Sequence, residues 1–241
     1  SINNRVPIVN YLLNKKNVDI NYAGGANHET ALQWAVRSTR SAELVSIFLS
    51  HEADITHKSK YGLDALFIAV QAGNMSIAYL LLVAGADPNT LSMDIDTPLL
   101  WLLKSKNVSQ CNEIMRLLLT FNANANQGDK DKNTVLHILA KRPLPNSKLA
   151  FLFHKNGARV EALNKDYMSP YDLAKEARNV DMGMIFHDLQ NYEMMPDELP
   201  IAIFAGIMLV GFMSFHIFPW YLVVFLVWPI CAIVFRFYGQ G

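Results

Sequence analysis

The chain has only two cysteines, Cys111 and Cys231, which fall in compositionally different parts of its 241 residues. A disulfide framework is thereby excluded, and the soluble part fits a reducing, cytosolic setting. Each thiol reads first as a small buried hydrophobe. A surplus of either charge is missing as well: 21 Lys and Arg stand against 21 Asp and Glu, and no basic block exceeds two residues. Lacking both a global field and a polybasic run, the chain is not read as a nucleic-acid binder. It has no initiator Met and opens on Ser1 inside a repeating pattern, so it is expected to be a piece of a longer protein. No signal peptide or lipidation motif stands at its start. The largest gap is in charge itself. From Leu199 to Phe235, 37 residues pass without Asp, Glu, Lys or Arg. Such unevenness argues against a single globule and for two parts.

Before that gap, a hexapeptide pattern returns five times. It reads Thr30-Ala31-Leu32-Gln33-Trp34-Ala35, Asp64-Ala65-Leu66-Phe67-Ile68-Ala69, Thr97-Pro98-Leu99-Leu100-Trp101-Leu102, Thr134-Val135-Leu136-His137-Ile138-Leu139 and Ser169-Pro170-Tyr171-Asp172-Leu173-Ala174. The first residues are 34, 33, 37 and 35 positions apart. This resembles the T-P-L-H-x-A signature of ankyrin repeats, whose period is about 33. A second apolar run follows each of the first four and closes on a small-residue turn, as at Gly85-Ala86, Asn122-Ala123 and Gly157-Ala158. Thr or Ser at the first position caps a helix and Pro suits its opening turn. Gly85, Asn122 and Gly157 are expected to be left-handed and to stop the second helix. Val6 to Leu13 reads as the second half of a partial repeat. The 37-residue step lengthens a loop around Ser105 to Gln110, and Arg142-Pro143-Leu144-Pro145 makes another turn irregular. The fifth repeat ends in polar sequence and is expected to cap the array.

The uncharged run divides into two spans. Residues 199–218 number 20, enough at 1.5 Å per residue to cross a hydrocarbon core of about 30 Å. A single helix over the whole run would be about 55 Å long, more than a bilayer needs. Pro219-Trp220 falls where a turn would lie, and residues 221–235 form a shorter second span that could instead be tilted or re-entrant. The predicted fold class is all-α, an ankyrin-repeat solenoid over residues 1–190, a connector at 191–198, then a transmembrane helical hairpin.

No catalytic or metal-binding constellation assembles from the residues. The seven His are scattered; His137 occupies the signature His and reads as structural, while His216 lies inside the first span near its end. Asn74-Met75-Ser76 and Asn107-Val108-Ser109 match the glycosylation sequon, which cytosolic repeats would not present to the enzyme. What remains is a binding surface. The fifth hexapeptide position, occupied by Trp34, Ile68, Trp101, Ile138 and Leu173, is expected to face the groove, where two tryptophans would either anchor a peptide or pack between repeats.

A more specific likeness is carried by Arg116 to Asn122, Asn126-Gln127-Gly128-Asp129-Lys130, Lys132 to His137, and Asp172-Leu173-Ala174-Lys175 with Asn179-Val180. These strings, and the order of array, short connector and two close spans, resemble the ankyrin-repeat protein S-palmitoyltransferases of the DHHC class, the huntingtin-interacting type. The resemblance implies a groove that recruits substrate proteins through short Gln-Pro peptides, with Trp101 holding the proline and Gln71 matching a polar partner one repeat earlier. It also implies an endomembrane, Golgi setting with cytosolic repeats, and acyl-CoA and zinc in a cysteine-rich catalytic domain. That domain's Asp-His-His-Cys motif does not stand in this sequence, so no catalytic residue and no cofactor is assigned within it. Leu139 for the signature Ala departs from the repeat pattern. The alternative reading is a non-enzymatic ankyrin scaffold tethered to a membrane.

Overall fold

The computed structural model describes residues 5–15, 18–38, 42–105, 111–142 and 146–193. The chain divides into two compact units, residues 1–190 and 191–241, and the second lies almost wholly outside the described residues. The elements are α1 (Arg5–Leu13), α2 (Ala31–Ser38), α3 (Ala42–Ser50), α4 (Ala65–Gln71), α5 (Met75–Val83), α6 (Pro98–Lys104), α7 (Asn112–Thr120), α8 (Val135–Ala140), α9 (Ser147–Lys155), α10 (Pro170–Glu176) and α11 (Val180–Glu193). Among the described residues there is no strand, only an isolated antiparallel bridge between Gly24 and Glu29. The predicted spans at 199–218 and 221–235 lie outside the described residues. No helix among those described is long and apolar enough to cross a membrane.

Helices of six to nine residues are marginal in water, so stacking must hold them. Each hexapeptide opens the first helix of a pair: α2/α3, α4/α5, α6/α7, α8/α9 and α10/α11, with α1 standing for the partial repeat. The first helices form one row, α2 on α4, α4 on α6, α6 on α8 and α8 on α10, while α3, α5 and α7 form a second. One continuous core results. Its third-position leucines, Leu32, Leu66, Leu99 and Leu136, are fully buried. Truncating any one of them to Ala should cost about 2–5 kcal/mol.

The local signals act as their chemistry requires. Asp64, Thr97 and Ser169 accept the N–H three residues on, at 2.8, 3.2 and 3.2 Å. Gly85, Asn122 and Gly157 have φ of 95°, 63° and 82°, left-handed as expected, and Glu52 takes the same place at 58°. Asparagines then tie one turn to the next. Asn21 accepts from Asp54 N–H at 2.8 Å, Asn89 from Asn124 N–H at 2.6 Å and Asn126 from Arg159 N–H at 2.8 Å.

Two regions differ from expectation or fall out of view. Around the longer step, α6 ends at Lys104 and α7 begins at Asn112, with 106–110 outside the described residues; 143–145, carrying both prolines, are outside as well. The fifth pair is the last among the described residues. Its outer face mixes exposed Tyr171, Val180 and Met184 with exposed Lys175, Arg178 and Asp188, and no further helix pair stacks on it among the described residues.

Candidate functional site

Along the row of first helices the fifth hexapeptide positions form one column, and the residues three further on, Arg37, Gln71, Lys104, Lys141 and Glu176, form a second beside it. The fifth column is not uniformly open. Trp34 is 59% exposed, Trp101 and Ile138 are half-buried, and Ile68 and Leu173 are only 2% exposed. The reason is reach. These positions lie over the seam between neighbouring first helices, which swallows most short aliphatic side chains, whereas an indole extends past it.

Trp101 packs its lower part on the core and stands edge-on to Phe67, with ring centroids 6.4 Å apart and planes at 69°. It is therefore a half-seated aromatic rather than a largely solvent-facing one. Gln71 follows Phe67 by four residues on α4, so it lies one turn along the face that meets α6. Gln71 and Trp101 thus belong to adjoining helices. Trp34 is separated from Trp101 by α4, or two helix spacings of about 8–10 Å each. The three residues line one surface without sharing one pocket.

The second column is electrostatically tied down on either side of Gln71. Arg37 donates to Glu29 at 2.5 Å, and Lys104 pairs with Asp96 at 2.6 Å and Asp129 at 2.9 Å. In both cases the cation follows a groove tryptophan by three residues and its carboxylate precedes it by eight. Burial opposes ionisation of Lys104 and of Asp129. The hydrogen bonds between them outweigh it, with those to Asp96 and from the Asn133 and Asp131 N–H groups, so Lys104 is raised and Asp129 held below the usual carboxylate range. Both groups stay charged and mutually occupied at neutral pH. Among the described residues nothing hydrogen-bonds the Gln71 side chain. From Trp34 to Trp101 the groove thus presents two indoles, a free amide and cations already matched by carboxylates, a stretch suited to an uncharged extended peptide.

Polar struts lie beneath this surface; the structural role read for His137 is one, and the same role at Gln33 was missed. His137, fully buried, accepts from Thr134 N–H at Nδ1, 3.2 Å away, which leaves the proton on Nε2 to donate to Met168 O at 3.0 Å. Burial holds its pKa below the ordinary value. Gln33 does the same work one hundred residues earlier in the chain, in round terms: Oε1 accepts from Thr30 N–H at 3.0 Å, and Nε2 donates to His57 O at 2.8 Å and Leu63 O at 2.9 Å. The signal was legible in that Gln33 and His137 share the fourth signature position. Among the described residues no group of three or more His, Cys, Asp or Glu converges as a metal site.

Paired helices at a period near 34, left-handed turns closing the second helices of four pairs and one row of groove-facing first helices define a protein-interaction solenoid. The family model for ankyrin repeats in three copies matches residues 1–92 and 66–164, and the chain belongs to the ankyrin-repeat family. Within that family it is similar to the human protein named palmitoyltransferase ZDHHC17, with 34% identity over 185 residues, covering 76% of this chain and 28% of the relative. It is also 31% identical over 144 residues to palmitoyltransferase AKR1 of Lachancea kluyveri, covering 57% of this chain and 18% of that protein. The putative palmitoyltransferase ZDHHC13 of Danio rerio is 30% identical over 182 residues, covering 74% of this chain and 27% of that protein. The chain therefore spans less than a third of the length of these relatives.

Proposed function

We propose that the array is the substrate-recruiting part of a protein S-palmitoyltransferase, an enzyme that moves a fatty acyl group from acyl-CoA to protein cysteines. The observation that carries this reading is the similarity to proteins named palmitoyltransferases across 76% of the chain. The groove takes short peptides containing Gln-Pro. Trp101 offers the proline a flat, rigid face, Gln71 supplies an amide to the peptide backbone, and Trp34 extends the surface two repeats away. The paired charges at Arg37 and Lys104 support an uncharged ligand, since an acidic peptide would have to displace Glu29, Asp96 or Asp129 from its cation. Residues 199–218 and 221–235 cross the membrane of an endomembrane compartment, the Golgi, with the repeats on the cytosolic side. Acyl-CoA and zinc belong to a cysteine-rich catalytic domain, and no step of acyl transfer is assigned to residues of this chain.

Two measurements test the reading. The transcript downstream of the codon for Gly241 is expected to encode Asp-His-His-Cys within a cysteine-rich stretch; its absence would make the protein a membrane-tethered scaffold. A Gln-Pro peptide is expected to bind the chain and lose most of its affinity when the proline becomes alanine. Equal binding of both peptides would remove the proline from the proposal.

A further inference from the structure

The last helix pair leaves its stacking face open. In the α4/α5 pair the corresponding positions, Leu66 on the first helix and Ala78 on the second, are fully buried against the next repeat. Their counterparts at the end of the array, Tyr171 and Gly183, instead line an open trough of about 790 Å³ between α10 and α11. Tyr171 is 39% exposed, Val180 68% and Met184 57%. A Cβ placed on Gly183 would meet nothing within 4 Å. Lys175 and Arg178 stand at the edge of this apolar surface, and Asp188 is the only carboxylate among the lining residues. Lys175 takes the place of the fully buried Val70, so the chain has put a long cation where an interior repeat puts a stacking contact.

We propose that this end face rests on an anionic bilayer surface, with Tyr171, Val180 and Met184 entering the headgroup layer and Lys175 and Arg178 reaching lipid phosphates. The inference rests on the reading of 199–218 as a span. Only residues 194–198 separate Glu193, the last residue of α11, from the start of the uncharged run. At most about 3.6 Å per residue, that stretch spans about 20 Å, so the helix carrying Val180 and Met184 ends close to the bilayer. An exposed Tyr and Met bordered by Lys and Arg is the chemistry that interfaces favour. The phenol ring and the thioether partition into the acyl boundary, while the cations lie along the phosphates.

The test uses the full chain with Cys111 and Cys231 replaced by Ser, in liposomes of phosphatidylcholine with phosphatidylserine. An NBD fluorophore is attached at Met184→Cys or, as a control, at Met93→Cys in the loop before α6, where Met93 is 70% exposed. Emission from position 184 should shift to the blue and be quenched by spin-labelled lipid, while position 93 reports water. Lys175→Ala with Arg178→Ala should lower the contact equilibrium read from quenching by about thirtyfold, with unchanged circular dichroism. A chain that floats with liposomes while position 184 reports water like position 93 overturns this inference and leaves the span intact. A chain that does not float overturns both. A blue shift insensitive to lipid quencher and growing with protein density would assign the face to a second copy and also overturn it.

Discussion

Replacing Trp101 with Ala should separate seating from recognition, because the side chain does both. Truncation of a fully buried large aromatic costs about 3–5 kcal/mol, and Trp101 is mostly but not wholly buried, so about 2–4 kcal/mol of stability is expected, including the edge contact with Phe67. In a unit of this size each kcal/mol lowers Tm by about 2–4 °C, giving a loss of roughly 4–16 °C. Loss of the exposed part of the indole removes the face offered to a peptide proline. An aromatic anchor is worth about 2 kcal/mol or more of binding, near thirtyfold in Kd. Affinity would be measured by calorimetry with a Gln-Pro peptide well below the variant's Tm, and stability by thermal unfolding. Trp34→Ala supplies the contrast: at 59% exposure it should melt within about 2 °C of the parent. Full affinity in a folded Trp101→Ala protein would refute the groove reading. An unchanged Tm would refute the half-seated geometry.

Other outcomes follow from the struts and turns. His137 has its pKa lowered by burial, so below the unfolded value of about 6.5 the unfolded chain binds the extra proton first. Its contribution is fully present above that pH and is lost as pH falls through the window below it. Urea unfolding from pH 7 to 5 should show this decline, and His137→Gln, which can copy the bonds of Gln33, should flatten it with a loss of under about 1.5 kcal/mol. A His137→Gln protein with the parent's pH slope would mean another group titrates. Glu52 sits at φ 58° where other repeats place Gly85 or Gly157. Glu52→Gly should raise stability by about 0.5 kcal/mol, the relief of left-handed strain exceeding the added chain entropy; calorimetry showing destabilisation would oppose this. Gln71→Ala should weaken peptide binding by about 1 kcal/mol, or fivefold, with no change in Tm.

The architecture was readable from residue order because an ankyrin array is periodic. Five hexapeptides at steps of 33 to 37 residues place five first helices, and Gly85, Asn122 and Gly157 place turns whose backbone only a few residue types tolerate. What periodicity cannot express is how far each side chain reaches beyond a seam formed by two helices from different repeats. Trp34, Ile68, Trp101, Ile138 and Leu173 hold one signature position, yet they range from buried to mostly open. The pairing of Lys104 with Asp96 and Asp129, which leaves Gln71 unengaged between two paired cations, likewise joins residues from separate repeats. The open end face has the same origin. Tyr171 holds the signature position that is buried as Leu66 and Leu99 in interior repeats, and only the stacked structure shows that no described helix pair covers it. Local chemistry determines which helices form and where they stop; the surface they offer is decided when the repeats stack, because exposure belongs to neighbours and not to the residue alone.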